Sequence, residues 1–302
     1  MFDFIGDIHG HGLKLEALLK KLGYSKENNV YRHPERMVFF LGDYIDRGPD
    51  IPLTLHIVRS MVEAGSAIAL MGNHEFNALA YETFVDGKPL RPHTSSNTNQ
   101  YIETLNQFKD DRGTYNSHLE WFYSLPLFYE TENFRAVHAC WDDNQINALK
   151  IHLSGNKLDK TALLSSFDDK NPLFTPVEIS LKGKEISLPA GVDFRDKDGK
   201  SRNRVRIKWW NNPVGRSFKE IALPYIDTIP NKTVQADDQD FGSIYDESQK
   251  PVFFGHYWLK GKPMIQESNI CCLDFSIAKK GYLACYRFNG EQSLNSDKIV
   301  FV

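Results

Sequence analysis

What this chain lacks narrows the field. Four cysteines in 302 residues, Cys140, Cys271, Cys272 and Cys285, are too few for a disulfide framework, and none forms a Cys-x-x-Cys pair. We therefore expect reduced, mostly buried thiols and a cytoplasmic setting. No apolar run approaches the ~18 residues that cross a bilayer, and no basic segment precedes the first strand, so neither a membrane span nor a signal peptide is expected. Excess positive charge is missing too: 36 Lys and Arg stand against 39 Asp and Glu, a net charge of -3. That balance argues against a stable nucleic-acid or membrane-surface partner. No repeat or low-complexity tract is visible.

What is present reads as an ordinary globular composition, 41% hydrophobic and 25% charged. The first half alternates strands and helices. "FDFI" reads as a strand, and "GLKLEALLKKLGY" as a helix with its leucines on one face and Gly23 as C-cap. "RMVFFLGDYIDRG" is a strand entering a polar loop, "PLTLHIVRSMVEAG" a helix, and "SAIALMGNHE" a strand entering a second such loop. This series predicts a parallel sheet covered by helices. Two further helices ("NQYIETLNQFKDD", "SHLEWFYSLP") and a hairpin ("LFYETENFRAVHA") follow. The C-terminal quarter reads as strands: "PVFFGHYW", "NICCLDFS", "YLACYRFNGE" and "KIVFV". Between them, 151–250 is polar with little periodicity, an insert over a core of 1–150 and 251–302, with a hairpin expected in "VEISLKGKEISLP".

In sheets of this kind ligands sit beyond the carboxyl ends of the strands. Collected there are Asp7 and His9, Asp43, Asn73 and His74, His138, and His256. Any one of them could be a cap or a satisfied core residue. Together, without partners, they would concentrate costly polar groups at the edge of a core, a problem that divalent cations solve. Carboxylate, imidazole and amide without thiolate suit Mn, Fe or Zn better than a soft metal.

"GDIHG", "GDYIDRG", "GNHE", the lone histidine of "AVHAC" and the late "GH" resemble, in order, the motifs of the calcineurin-like metallophosphoesterases. The resemblance covers 1–140 and 250–302. It implies a four-layer α/β sandwich, two mixed sheets flanked by helices, and a single metallophosphoesterase domain over 1–302. It also implies two divalent ions, Mn first, with Fe, Zn, Ni or Mg as alternatives. Asp7 and His9 would bind one ion, Asn73, His138 and His256 the other, and Asp43 both. His74 would be the general acid, Asp46 its orienting partner and Arg47 a phosphate grip. A hydroxide between the ions would attack phosphorus in line.

The wording of "GDYIDRG" and "GNHE" resembles the phosphoprotein-phosphatase branch. Trp258 stands where nuclease branches carry a second histidine, and the ending with Asp274 resembles bacterial members. The implied substrate is a phosphoprotein, a nucleotide or a small phosphoester; a dinucleoside polyphosphate is the alternative. A metal-binding scaffold without activity is the reading from another class. In "SRNRVRIKWW" a strand would align Arg202, Arg204, Arg206 and Lys208 on one face, either as a solvated surface or as a second phosphate clamp led by Arg206. Trp209, Trp210, Tyr257 and Trp258 are candidates to stack a base, though such aromatics more often pack in a core.

Overall fold

The computed structural model describes residues 1–195, 199, 201–229, 231–236 and 241–302. Two mixed sheets form its centre. In the first, the strands run in the order Asp274–Phe275, Tyr282–Phe288, Phe2–Ile5, Met37–Phe40, Ala67–Ala69, with Ile299–Phe301 also on Tyr282–Phe288. Phe2–Ile5 and Met37–Phe40 are parallel, as are Met37–Phe40 and Ala67–Ala69. In the second sheet the order is Ile270–Cys272, Val252–Phe254, Arg135–Val137, Phe128–Glu130.

Alternation along the strands explains the layering. Phe4, Phe39, Ala136 and Phe253 enter the core between the sheets. Their neighbours Ile5, Phe40, Val137 and Phe254 enter the larger core beneath the helices. A period of two on strands buried on both faces gives a sheet two interfaces. Phe4 and Phe253 meet across the sandwich with ring centroids 3.8 Å apart. The α/β architecture of two mixed sheets between helices is therefore present as expected.

The helix Gly12–Leu22 buries Leu15, Leu18, Leu19 and Leu22 and ends at Gly23, whose φ of 94° is left-handed. The 128–137 hairpin forms as expected, and all four cysteines are free and buried. No helix among the described residues is long and apolar enough to cross a membrane.

Two expectations fail inside 151–250. The first arm of the proposed "VEISLKGKEISLP" hairpin lies in the helix Phe174–Lys182, which buries Pro176, Val177, Ser180 and Leu181. Its second arm, Glu185–Ser187, pairs with Arg204–Arg206 instead. Packing on the Asp143–His152 helix overrides the short alternating pattern. The cationic run also splits. Ser201–Arg202 pairs with Phe194–Arg195, so Arg202 does not share a strand with Arg204 and Arg206. The segment does have a core of its own, around Ile186, Val205, Ile207, Phe218 and Ile221.

One surface helix carries a pH sensitivity. His118, in Arg112–Phe122, is buried against Phe108 and Trp121, and its Nδ1 has no hydrogen-bond partner. Burial, then Arg59, depress its pKa to about 4. A histidine depressed in the folded state contributes stability that is complete above about 6.5, its unfolded pKa. That stability is lost as pH falls from there through 4. Thermal melts of wild type and His118→Phe between pH 7 and 4 should diverge in slope, the variant falling less steeply. Parallel curves would remove His118 as the cause.

Candidate metal centre

Five strands from both sheets end at one place. Asp7 follows Phe2–Ile5, Asp43 follows Met37–Phe40, Asn73 and His74 follow Ala67–Ala69, His138 follows Arg135–Val137, and His256 follows Val252–Phe254. All seven side chains, His9 included, are buried. The turns that bring them together are tight. His9, Asp43, Asp46, Arg47 and His256 all take positive φ without being glycine, and such strained backbone gathers at functional sites. At Gly42, φ is 105°, and a Cβ would come within 2.7 Å of the Gly72 backbone and of His138 Nδ1. At Gly255 a Cβ would overlap Asp7 Oδ1. Both glycines are therefore dictated by the close approach of the loops.

Asp43 is the hub. Its Oδ2 lies 3.6 Å from His9 Nε2 and 3.9 Å from His74 Nε2, while its Oδ1 lies 3.4 Å from His138 Nε2. Asn73 Oδ1 is 3.1 Å from His138 Nε2 and 2.7 Å from His256 Nδ1. Asp7 joins them by accepting the His256 backbone N–H at 3.0 Å.

The proton inventory shows what this crowding means. A carbonyl can only accept, so His9 Nδ1 donates to Ile45 O at 3.2 Å and His138 Nδ1 donates to Leu41 O at 2.7 Å. The opposite nitrogens then point bare lone pairs at carboxylate and amide oxygens. Nε2 of His9 and of His256 are buried with no hydrogen-bond partner at all. Burial holds His9 and His256 well below the usual imidazole pKa, so both are neutral. Neutral imidazole facing carboxylate oxygen without a proton between them is the donor set a cation needs. Two groups, His9–Asp43–His74 and Asp43–His138–His256, could each hold a metal ion, and Asp43 belongs to both.

His74 differs from the others. Its Nδ1 meets Asp46 Oδ2 at 2.5 Å, which fixes the ring and leaves Nε2 toward the centre. Burial alone would depress it, but the carboxylates of Asp43 and Asp46 outweigh that and raise its pKa. Asp46 is fixed in turn by Thr104, whose hydroxyl donates to Asp46 Oδ1 at 2.5 Å. Arg47, next in sequence, is half-buried with Nε unpartnered, and its guanidinium packs on the Trp258 ring.

Several residues escape a reading by motif. Glu75, wholly buried, accepts four backbone N–H groups, from Gly72, Asp43, Tyr44 and Ile45, at 2.8 to 3.3 Å. It ties the loop that carries Asp43 to the helix that carries Asn73. Burial, then Asp43, raise its pKa, against the backbone N–H groups of Tyr44 and Asp43. An amide in its place would turn an N–H₂ toward backbone donors. Glu75→Gln should lose on the order of 3 kcal/mol in urea unfolding. A loss under 1 kcal/mol would show that the loop holds without it.

The helix Ser95–Gln107 also turns a polar face inward. Gln100 Nε2 lies 3.4 Å from His74 Nε2, Thr104 holds Asp46, and Gln107 bonds Ile51 N and Gly48 O. The signal available in the sequence is polar residues at i, i+4 and i+7 on that face. Asp274 is buried and accepts the N–H groups of Trp258 and Ser276.

Of the insert residues, Arg206 comes near the centre: its charge depresses His256, and it lies 3.8 Å from Glu185. Trp209, Trp210 and Tyr257 are buried around Phe254. They are core, not a base-stacking surface; only Trp258 is half-exposed.

Strand-end carboxylates and imidazoles from two mixed sheets thus gather in an arrangement that could hold metal ions. A model of the calcineurin-like phosphoesterases matches residues 1–223, and the chain belongs to that family. The match runs well into the polar middle segment. The chain is similar to the asymmetrical bis(5'-nucleosyl)-tetraphosphatase PrpE of Oceanobacillus iheyensis, 31% identical over 170 residues, 55% of this chain and 64% of the relative. With the PrpE protein of a Geobacillus species, identity is 45% over 73 residues, 24% of this chain and 30% of the relative. The chain thus spans less than two thirds of these relatives' length. Among solved structures, the cold-active protein-tyrosine phosphatase of a psychrophilic Shewanella shares the fold, with a TM-score of 0.50 and 14% identity over 95% of this chain and 75% of that one.

Proposed function

We propose that this protein is a metal-dependent phosphatase that hydrolyses phosphoesters. The observation that carries the reading is Asp43, buried and shared between two groups of side chains that could each hold a metal ion. Asp7 and His9 would hold one divalent ion and Asn73, His138 and His256 a second, with Asp43 on both. Oxygen and nitrogen donors without thiolate favour Mn. Bound there, the ions supply positive charge for the phosphoryl oxygens and make a water acidic enough to serve as nucleophile.

The chain's own residues do the rest. Arg47 binds a phosphoryl oxygen, and Arg206, from an insert at 151–250 that shapes access to a single domain, provides a second grip. His74 gives the proton on Nε2 to the departing oxygen, while Asp46, fixed by Thr104, holds the ring through Nδ1.

A second reading, hydrolysis of dinucleoside polyphosphates, is supported by the likeness to PrpE proteins and by the half-exposed Trp258. One experiment tests both. An aryl phosphate, a phosphopeptide and diadenosine tetraphosphate are offered to Mn-loaded and to chelated protein, and the products are separated by chromatography. Turnover should vanish on chelation and return with Mn, and nucleotide products would select the second reading. Turnover indifferent to chelation would defeat the proposal, and retained metal with no hydrolysis of any substrate would favour the scaffold reading.

A further inference from the structure

The helix Ser95–Gln107 reaches both ends of the His74 ring. Thr104 holds Asp46, which holds Nδ1, and one turn earlier Gln100 brings its side-chain nitrogen to 3.4 Å from Nε2. Residues four apart share one face of a helix, so a single face serves both contacts.

Arg91 settles which end of the Gln100 amide faces the centre. A guanidinium can only donate, and Arg91 Nη2 donates to Gln100 Oε1 at 2.7 Å. The end turned to His74 is therefore the amide nitrogen, which is a donor and not an acceptor. Arg91 is itself held. The same Nη2 donates to Asn97 Oδ1 at 3.1 Å, and Asn97 Nδ2 donates to Pro92 O at 2.8 Å. The Arg91 backbone N–H donates to Ala80 O at 2.9 Å, within the helix Asn73–Glu82 that also carries His74. The acid and the amide beside it are thus referenced to one element.

With the proton it is to give on Nε2, His74 is a donor there as well. Two donors at this separation do not bond each other, but an oxygen with two lone pairs set between them satisfies both. The departing ester oxygen is such a group. We infer that Gln100 is a further catalytic residue, its amide N–H hydrogen-bonded to the departing oxygen beside His74. The inference rests on the phosphatase reading with His74 as the proton donor. As the bond from phosphorus to that oxygen breaks, the electron pair stays on the oxygen and the Nε2 proton joins it. Gln100 keeps its own proton and contributes a hydrogen bond that strengthens as negative charge develops.

Steady-state kinetics of the Mn-loaded protein test this on phenyl phosphate, a poor leaving group, and dinitrophenyl phosphate, a good one. Gln100→Leu should lower kcat roughly 10–100-fold on the first and under about threefold on the second, with KM and Mn content near wild type. Gln100→Glu keeps the size and the Arg91 contact but has no N–H, and should lose as much on phenyl phosphate. Added to His74→Asn, Gln100→Leu should slow nitrophenyl phosphate several-fold more, because an oxygen left without a proton still needs a donor. Asn99→Leu, exposed on the same helix, is the comparison and should behave as wild type. Equal losses on the two esters, full activity in Gln100→Glu, no further loss in the double variant, or loss of Mn would each overturn the role of Gln100 and leave the phosphatase reading standing. A wild type that hydrolyses none of the esters overturns that reading and this inference with it.

Discussion

Asp43→Asn should release bound metal and lower turnover by roughly a thousandfold or more, the largest effect expected of any single change in this chain. Asp43 is wholly buried, and its two oxygens face three imidazoles, His9, His74 and His138. An amide keeps the size but removes the charge and offers one ligand oxygen instead of two. Elemental analysis of purified wild type and variant, each dialysed against Mn, measures the loss directly. Full metal content in Asp43→Asn would show that Asp43 is not the shared ligand.

His74→Asn should lower turnover by ~10²–10⁴-fold while leaving metal content nearly intact. Geometry alone permits two roles for His74. It stands with His9 and Asp43 in one possible ligand group, yet its Nδ1 is committed to Asp46. The leaving group discriminates between them. A poor leaving group needs the proton that His74 carries, so alkyl phosphates should suffer most and nitrophenyl phosphate least. Equal losses across leaving groups, accompanied by loss of metal, would place His74 among the ligands.

How much of this was legible in the sequence depended on distance along the chain. The convergence of Asp7, Asp43, Asn73, His138 and His256 could be read because each follows a short apolar run, and parallel strands end on one side. The layering was legible for the same reason: "MVFF" is apolar at every position and "FDFI" at all but Asp3, which calls for cover on both faces. The 174–187 region was misread because its alternation suits a strand while its fate is decided by the helix it packs against. Glu75 was invisible for another reason. Its work is to bond backbone some thirty residues away in sequence, and no spacing announces that. The tryptophans at 209 and 210 follow the commoner fate of such aromatics and pack in the core, not against a base.

The strand Phe2–Ile5 lies between Met37–Phe40 and Tyr282–Phe288, and Asp7 receives its backbone donor from His256, 249 residues away. During synthesis, the first strand therefore waits on the ribosome with one edge bare until the 280s emerge, an exposed template for wrong pairing. The last proposed ligand, His256, also emerges late, so a nascent chain interrupted before residue 256 would carry five of the six and leave that side of the cage open.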